Sequence, residues 1–116
     1  MPYSTSGKNV MLDALGTAAG FVSAHASDPG DSGTGEISGG APAYARKAIT
    51  WNAASAGSKT ASNSPVIDVE GGDTVAFVGL WSASTAGTFY GSADVTDEVF
   101  GGQGTYTVTS FTLSIT

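Results

Sequence analysis

Residues Asp73 to Trp81, reading Asp-Thr-Val-Ala-Phe-Val-Gly-Leu-Trp, form the most continuously apolar run in the chain, and no other feature limits the fold as strongly. Read as a strand, the run puts Val75, Phe77, Gly79 and Trp81 on one side and Ala76, Val78 and Leu80 on the other. Both faces then need cover, which places the strand inside a sheet rather than at its edge. Its β-branched and aromatic residues, the turn signal Glu70-Gly71-Gly72-Asp73 before it and the small polar stretch Ser82 to Gly87 after it favour strand over helix. The implied fold class is all-β: a single sandwich or jelly-roll-like domain over residues 1–116, with a short N-terminal helix.

The spacing of Val10, Met11, Leu12, Ala14 and Leu15 after the candidate caps Ser4 to Ser6 predicts that helix at about residues 6–15, with Gly16 as its stop. Phe21 to Ala26 alternates as a strand, with Phe21, Ser23 and His25 opposite Val22, Ala24 and Ala26. Residues 27–42 hold five glycines and two prolines in sixteen positions, a long loop that suits subunit contacts. Ala43 to Trp51 alternates as a further strand, and Asn52 to Ser64 is a low-complexity run with weak strands about a turn at Ala56-Gly57-Ser58. Pro65 to Val69 reads as an edge strand. Gly87 to Ala93 reads as the hairpin partner of the central strand, and Asp94 to Phe100 as a charged connection. In the last strand Tyr106 and Val108 are out of phase with Phe111, Leu113 and Ile115, which predicts a bulge or kink near Thr109 and Ser110.

Only 12% of residues are charged, so the surface must consist largely of Ser, Thr, Gly, Asn and Ala, as suits a protein seated against other subunits. Ten acids against four bases give a net charge of −6, which argues against nucleic acid or an anionic membrane as partner. There is no cysteine, and so no disulfide or thiolate-bound metal. The N-terminus lacks the basic start and apolar run of a signal peptide, and no stretch is apolar for long enough to span a bilayer, so neither export nor membrane insertion is expected.

Catalytic groups are scarce. His25 is the only histidine, and without a Gly-x-Ser-x-Gly elbow or a cysteine it reads as a hydrogen-bonded structural residue. Metal chemistry lacks ligands at useful spacing. Asp28, Asp31 and Glu36 do not follow the EF-hand spacing and read as turn-forming acids. The pairs Gly39-Gly40, Gly71-Gly72 and Gly101-Gly102 lack the Lys-Ser/Thr of a phosphate loop and read as turn glycines. Tyr44, Trp51, Trp81 and Tyr90 would stack on sugars if gathered on one exposed surface, but read first as core or interface anchors. No catalytic residue, cofactor or metal is expected, and the interface candidates are Asp28, Pro29, Asp31, Glu36, Ile37, Tyr44 and Arg46.

Four stretches carry a resemblance: Lys8 to Leu15, Phe21 to Gly30, Gly35 to Trp51 and Val78 to Gly91. In order they resemble small structural proteins of tailed bacteriophages, grouped as tail fibre or minor virion proteins, and the likeness spans nearly the whole chain. It implies a non-catalytic virion protein, made in the host bacterial cytoplasm and displayed on the virion surface. The first expectation is a capsid decoration protein, a trimer bound to the major capsid protein lattice. The alternative is a tail-tip or tail-fibre protein contacting other tail proteins and the host surface, and a carbohydrate-binding module comes third.

Overall fold

The computed structural model describes residues 2–115; Met1 and Thr116, the end positions of the expected 1–116 domain, lie outside the described residues. The described residues are mostly β with one helix: α1 (Thr5–Ala18), β1 (Phe21–His25), β2 (Lys47–Ala48), β3 (Ser58–Thr60), β4 (Val66–Val69), β5 (Thr74–Trp81), β6 (Phe89–Val99), β7 (Gly104–Thr107) and β8 (Thr112–Ser114). Among the described residues these form one antiparallel sheet in the order β2-β1-β5-β6 and two smaller antiparallel ladders, β3 with β8 and β4 with β7.

β5 is flanked by β1 and β6, the position that a run apolar on both faces requires. Its register with β1 pairs Phe21 with Trp81, Ser23 with Gly79 and His25 with Phe77. The alternate pairs, Val22 with Leu80 and Ala24 with Val78, make the apolar face. These four pack with Ile37, Ile49, Ile67, Val69, Val108 and Phe111 in the main core.

The helix outruns its expected end. Ser4 caps it, its Oγ accepting from Gly7 N at 3.0 Å, and it passes through Gly16 to Ala18. Gly16 serves close packing rather than termination, because a Cβ there would collide with Lys59 Cε. Lys59, buried on β3, lies across the glycine and reaches Asp13 Oδ1 at 2.7 Å, which docks α1 on the β3–β8 ladder. Burial of the helix is slight: Leu12 is its one fully covered side chain among the described residues.

The stretch 43–51 keeps only Lys47–Ala48 in a ladder. Tyr44 N returns to Gly39 O at 2.8 Å, so the backbone there closes a turn instead of extending a strand. Residues 94–99, expected as a connection, continue β6 to Val99, with a register shift opposite Val75 to Phe77. The strand persists because Ala93 and Val95 still alternate inward against the core while the acids between and beyond them face water.

The change of phase near Thr109 and Ser110 is a change of sheet. Ser110 has φ +54°, Val108 N bonds to Pro65 O at 2.8 Å beside β4, and Phe111 O accepts from Ala61 N at 2.9 Å beside β3. Val108 and Phe111, three positions apart, are both buried.

Gly79 sits where β5 crosses Ser23 and His25. A Cβ there would lie 2.5 Å from Ser23 Oγ, 2.9 Å from His25 Nε2 and 3.0 Å from Phe89 Cε1. Gly79→Ala therefore pushes against the buried Ser23 and His25 and the half-buried Phe89 ring, and the expected cost is about 1–3 kcal/mol, read as a lowered midpoint in urea unfolding monitored by circular dichroism.

Candidate functional site

The seven loop residues singled out from the sequence divide three ways. Asp28 and Asp31 are exposed, and Asp28 Oδ1 accepts from Gly30 N at 2.9 Å, the side chain closing a turn. Pro29 and Ile37 are buried, giving their side chains to the chain's own interior rather than to an outer surface. Glu36, Tyr44 and Arg46 meet at the polar face of β1 and β5.

Arg46 is the centre of that meeting. Its Nε and Nη2 grip the Glu36 carboxylate side by side at 2.9 and 3.0 Å, and its Nη1 donates to the carbonyls of Ala83 (3.0 Å) and Ala86 (2.8 Å). The guanidinium lies 3.6 Å from the centroid of the Trp81 ring. Four of its five N–H donors are thus satisfied and its plane is stacked on an aromatic face, a combination that lysine cannot reproduce. Tyr44 Oη donates to Glu36 Oε2 at 2.5 Å and accepts from Ala24 N at 3.1 Å, tying the carboxylate to β1.

The other side of Trp81 is closed by Phe89, edge-on at 5.1 Å between ring centroids, and by Gly33, whose φ of +78° and missing Cβ let the loop lie against the indole. Trp81 Nε1 donates to Ser23 Oγ at 2.8 Å, Ser23 Oγ lies 2.7 Å from His25 Nε2, and His25 Nδ1 lies 2.8 Å from Thr34 O. A carbonyl only accepts, so Nδ1 carries the proton. Nε2 then accepts from the Ser23 hydroxyl, which in turn receives the indole N–H. With the imidazole neutral, as its burial favours, each donor in this Trp81-Ser23-His25-Thr34 relay has an acceptor.

A serine hydroxyl donating to a histidine resembles an activated nucleophile, yet this pair is 0% exposed and its histidine is oriented by a backbone carbonyl instead of a carboxylate. No substrate reaches Ser23 Oγ through that packing. Among the described residues no three His, Cys, Asp or Glu side chains gather as metal ligands, and no helix is long and apolar enough to cross a membrane. The four aromatics considered as a sugar platform are dispersed. Trp81 lies beneath Arg46, Trp51 Nε1 donates to Ala19 O at 3.0 Å, Tyr44 is tied to Glu36, and Tyr90 alone of the four is exposed.

Titration follows from this packing. Burial pushes His25 below its ordinary 6.5, against the upward pull of the Thr34 carbonyl and the Glu36 charge. Burial is also the largest influence on Glu36 and acts upward, but the hydrogen bonds from Arg46 and Tyr44, with the Arg46 charge, outweigh it and leave the carboxyl below its ordinary 4.5. Burial and then the Glu36 hydrogen bond raise the Tyr44 phenol far above its ordinary value.

Comparison with known proteins gives the class first: the chain is a structural protein of the phage virion, matched over residues 3–116 by a family model for fibre proteins. That model is described as Podophage GP4 fiber I protein gp80, and the chain belongs to this family. No curated protein and no solved structure matches. The fibre description favours the tail-fibre alternative over the capsid-decoration expectation.

Two outcomes are expected of this site. Arg46→Met leaves the Glu36 carboxylate, with 21% of its side chain exposed, without its cation. The change costs about 3 kcal/mol, and Arg46→Lys recovers little of the loss because the fork and the stacking are both gone; chemical denaturation of the three proteins measures this. The pH dependence has three limits. The unfolded chain binds more protons at His25 below 6.5, so stability is full above that value and falls as the pH drops. The Glu36 contribution is present above 4.5 and is lost below it. The unfolded Tyr44 ionises above 10.0 while the folded one does not, so stability declines again there. A plateau between 6.5 and 10.0 in urea midpoint against pH is the expected profile, and the step that begins at 6.5 is absent in His25→Gln.

Proposed function

We propose that the chain is a non-catalytic structural subunit of a phage tail fibre, acting by holding and presenting surface rather than by chemistry. The observation that carries this reading is the match to a fibre family over residues 3–116. Two features of the molecule support it. The one reactive-looking pair, Ser23 and His25, is sealed in the interior. The outline is elongated, with principal extents of 46 × 25 × 25 Å, as suits a part that projects from a particle.

In this reading residues 1–116 act as one sandwich-like β domain, made in the host cytoplasm and displayed on the virion surface, where it contacts other tail proteins and copies of itself as a closed homo-oligomer, a trimer in this reading. The whole chain exposes 5962 Å². Two ordinary contacts of roughly 800 Å² each would occupy about a quarter of that, so a fibre subunit of this size commits a substantial share of its surface to neighbours. Asp28 and Asp31, on the turns of the 27–42 loop, and the exposed apolar residues Tyr3, Val10, Val66, Tyr90 and Val99 are surface available for such contacts.

A fibre offers few equivalent positions, whereas a capsid lattice offers on the order of hundreds. Quantitative staining of purified virions against the major capsid protein, with a labelled chain imaged on intact particles, is expected to give a low copy number and label confined to the tail. Hundreds of copies spread over the head would reinstate the decoration reading.

A further inference from the structure

A cleft of about 690 Å³ opens between β6 and the β7–β8 segment. One wall is the unbroken run Ala93 to Glu98 and the other the unbroken run Tyr106 to Thr112, with Val78 from β5 on the floor. Side chains alternate along a strand, so a wall made of consecutive residues presents its backbone edge as well as one face. Among the described residues both edges lack a ladder partner: β6 ends its sheet, and β7 is paired with β4 alone. An open edge is a template for an added strand, and here the register shift opposite Val75 to Phe77 limits the regular template to a short stretch.

The floor and the rim differ in character. Val78, Val108 and Phe111 are buried and apolar, while Asp94, Asp97 and Glu98 stand exposed along the rim. Among the described residues none of these three acids has a salt bridge. Glu98 also raises the Tyr106 phenol on the opposite wall, after the larger effect of burial, so its charge acts across the cleft.

We propose that this cleft receives an extended segment of a neighbouring virion protein with alternating basic and apolar side chains, added as a strand along the edge of β6. The inference rests on the virion reading above. A segment of that pattern sets its backbone against the free edge, its apolar side chains on the Val78 and Phe111 floor and its cations beside the rim acids, with the spacing of a strand supplying both contacts at once. Because of the register shift, the residues from Ala93 to Glu98 lie opposite only Val78 to Val75 of β5 and cover about 10 Å, enough for a partner strand to pair over roughly four residues. A second copy of this chain is the wrong occupant. Its net charge is −6, and among its four cations Arg46, Lys47 and Lys59 are already paired within the fold.

The test uses the purified chain and the capped hexapeptide Lys-Val-Lys-Val-Lys-Val, with Glu-Val-Glu-Val-Glu-Val as control, followed by backbone amide shifts. Saturable shifts at residues 93–98 and 106–112 with the basic peptide alone are expected, weakening as salt is raised. The triple substitution Asp94→Asn, Asp97→Asn, Glu98→Gln is expected to weaken binding about tenfold without altering the unfolding midpoint. Equal shifts with both peptides, shifts with neither, or concentration-dependent self-association through the same amides would each overturn the proposal. In virions, the triple variant is expected to be depleted relative to the parent chain. Tail incorporation at the parental level overturns the cleft assignment while leaving the fibre reading intact, whereas a parent chain absent from tails overturns the fibre reading itself.

Discussion

The fold turns on one guanidinium. Arg46 comes from a stretch with almost no ladder of its own, yet it binds Glu36 of the long loop, the carbonyls of Ala83 and Ala86 in the loop after β5, and the face of Trp81 at the end of β5. Three irregular segments are thereby held on one rigid strand. With a side chain only 8% exposed, Arg46 has given up most of its water, and the exchange is favourable because nearly every donor is re-satisfied and the positive charge sits against a carboxylate and an aromatic face. Removing the cation frees more than a salt bridge, since the loops at 27–42 and 82–87 have few hydrophobic anchors besides Pro29 and Ile37.

Beneath that clamp the sheet carries two unlike faces. The Val22, Ala24, Val78 and Leu80 side is an ordinary apolar core, while the Ser23, His25 and Trp81 side is a chain of buried polar groups in which each donor has an acceptor. Such a network is tolerated in the interior only when complete, and completeness here fixes the histidine tautomer. Gly79 and Gly33 make the room, one beneath Ser23 and His25 and the other against the indole. The imidazole and the hydroxyl lie in reactive-looking contact because the structure uses them as spacers.

The sequence made the regular parts of this arrangement legible and hid the parts that depend on long-range contact. The doubly apolar run 73–81 specified a central strand because no other position covers both its faces, and the phase change between Val108 and Phe111 specified a break because side-chain parity cannot shift within one strand. The helix is legible but its end is not, since a glycine near a helix end reads as a cap unless one knows that Lys59, forty-three positions on, needs the space over Gly16. The strand expected at 43–51 failed for a similar reason: its alternation was real, but Arg46 answers to Glu36 and Trp81 instead of a neighbouring ladder. Charges at 94–98 suggested a connection, although an edge strand accommodates acids on its solvent side at little cost. Glu36, Tyr44 and Arg46 are all legible as polar candidates of one region, but the contact that joins them is not. A pairing of that kind has no local signature, because residues 36, 44 and 46 show neither helical nor strand periodicity together.

Charge placement then limits how the molecule meets others. Three of the four cations are spent on internal pairs, so what faces the solvent is an excess of carboxylates on a weakly charged surface. Within a Debye length of about 10 Å at 0.1 M salt, two copies approaching through their acidic edges repel each other. Contact between copies is therefore favoured where charge is sparse, as at the Ser/Thr/Ala-rich stretch 52–64 and around exposed Tyr3 and Val10. The acidic rim of β6 favours the opposite choice, a partner richer in lysine and arginine than this chain. The internal use of Arg46, Lys47 and Lys59 leaves that acidic edge unneutralised, so charge alone directs like copies away from it and a basic partner towards it.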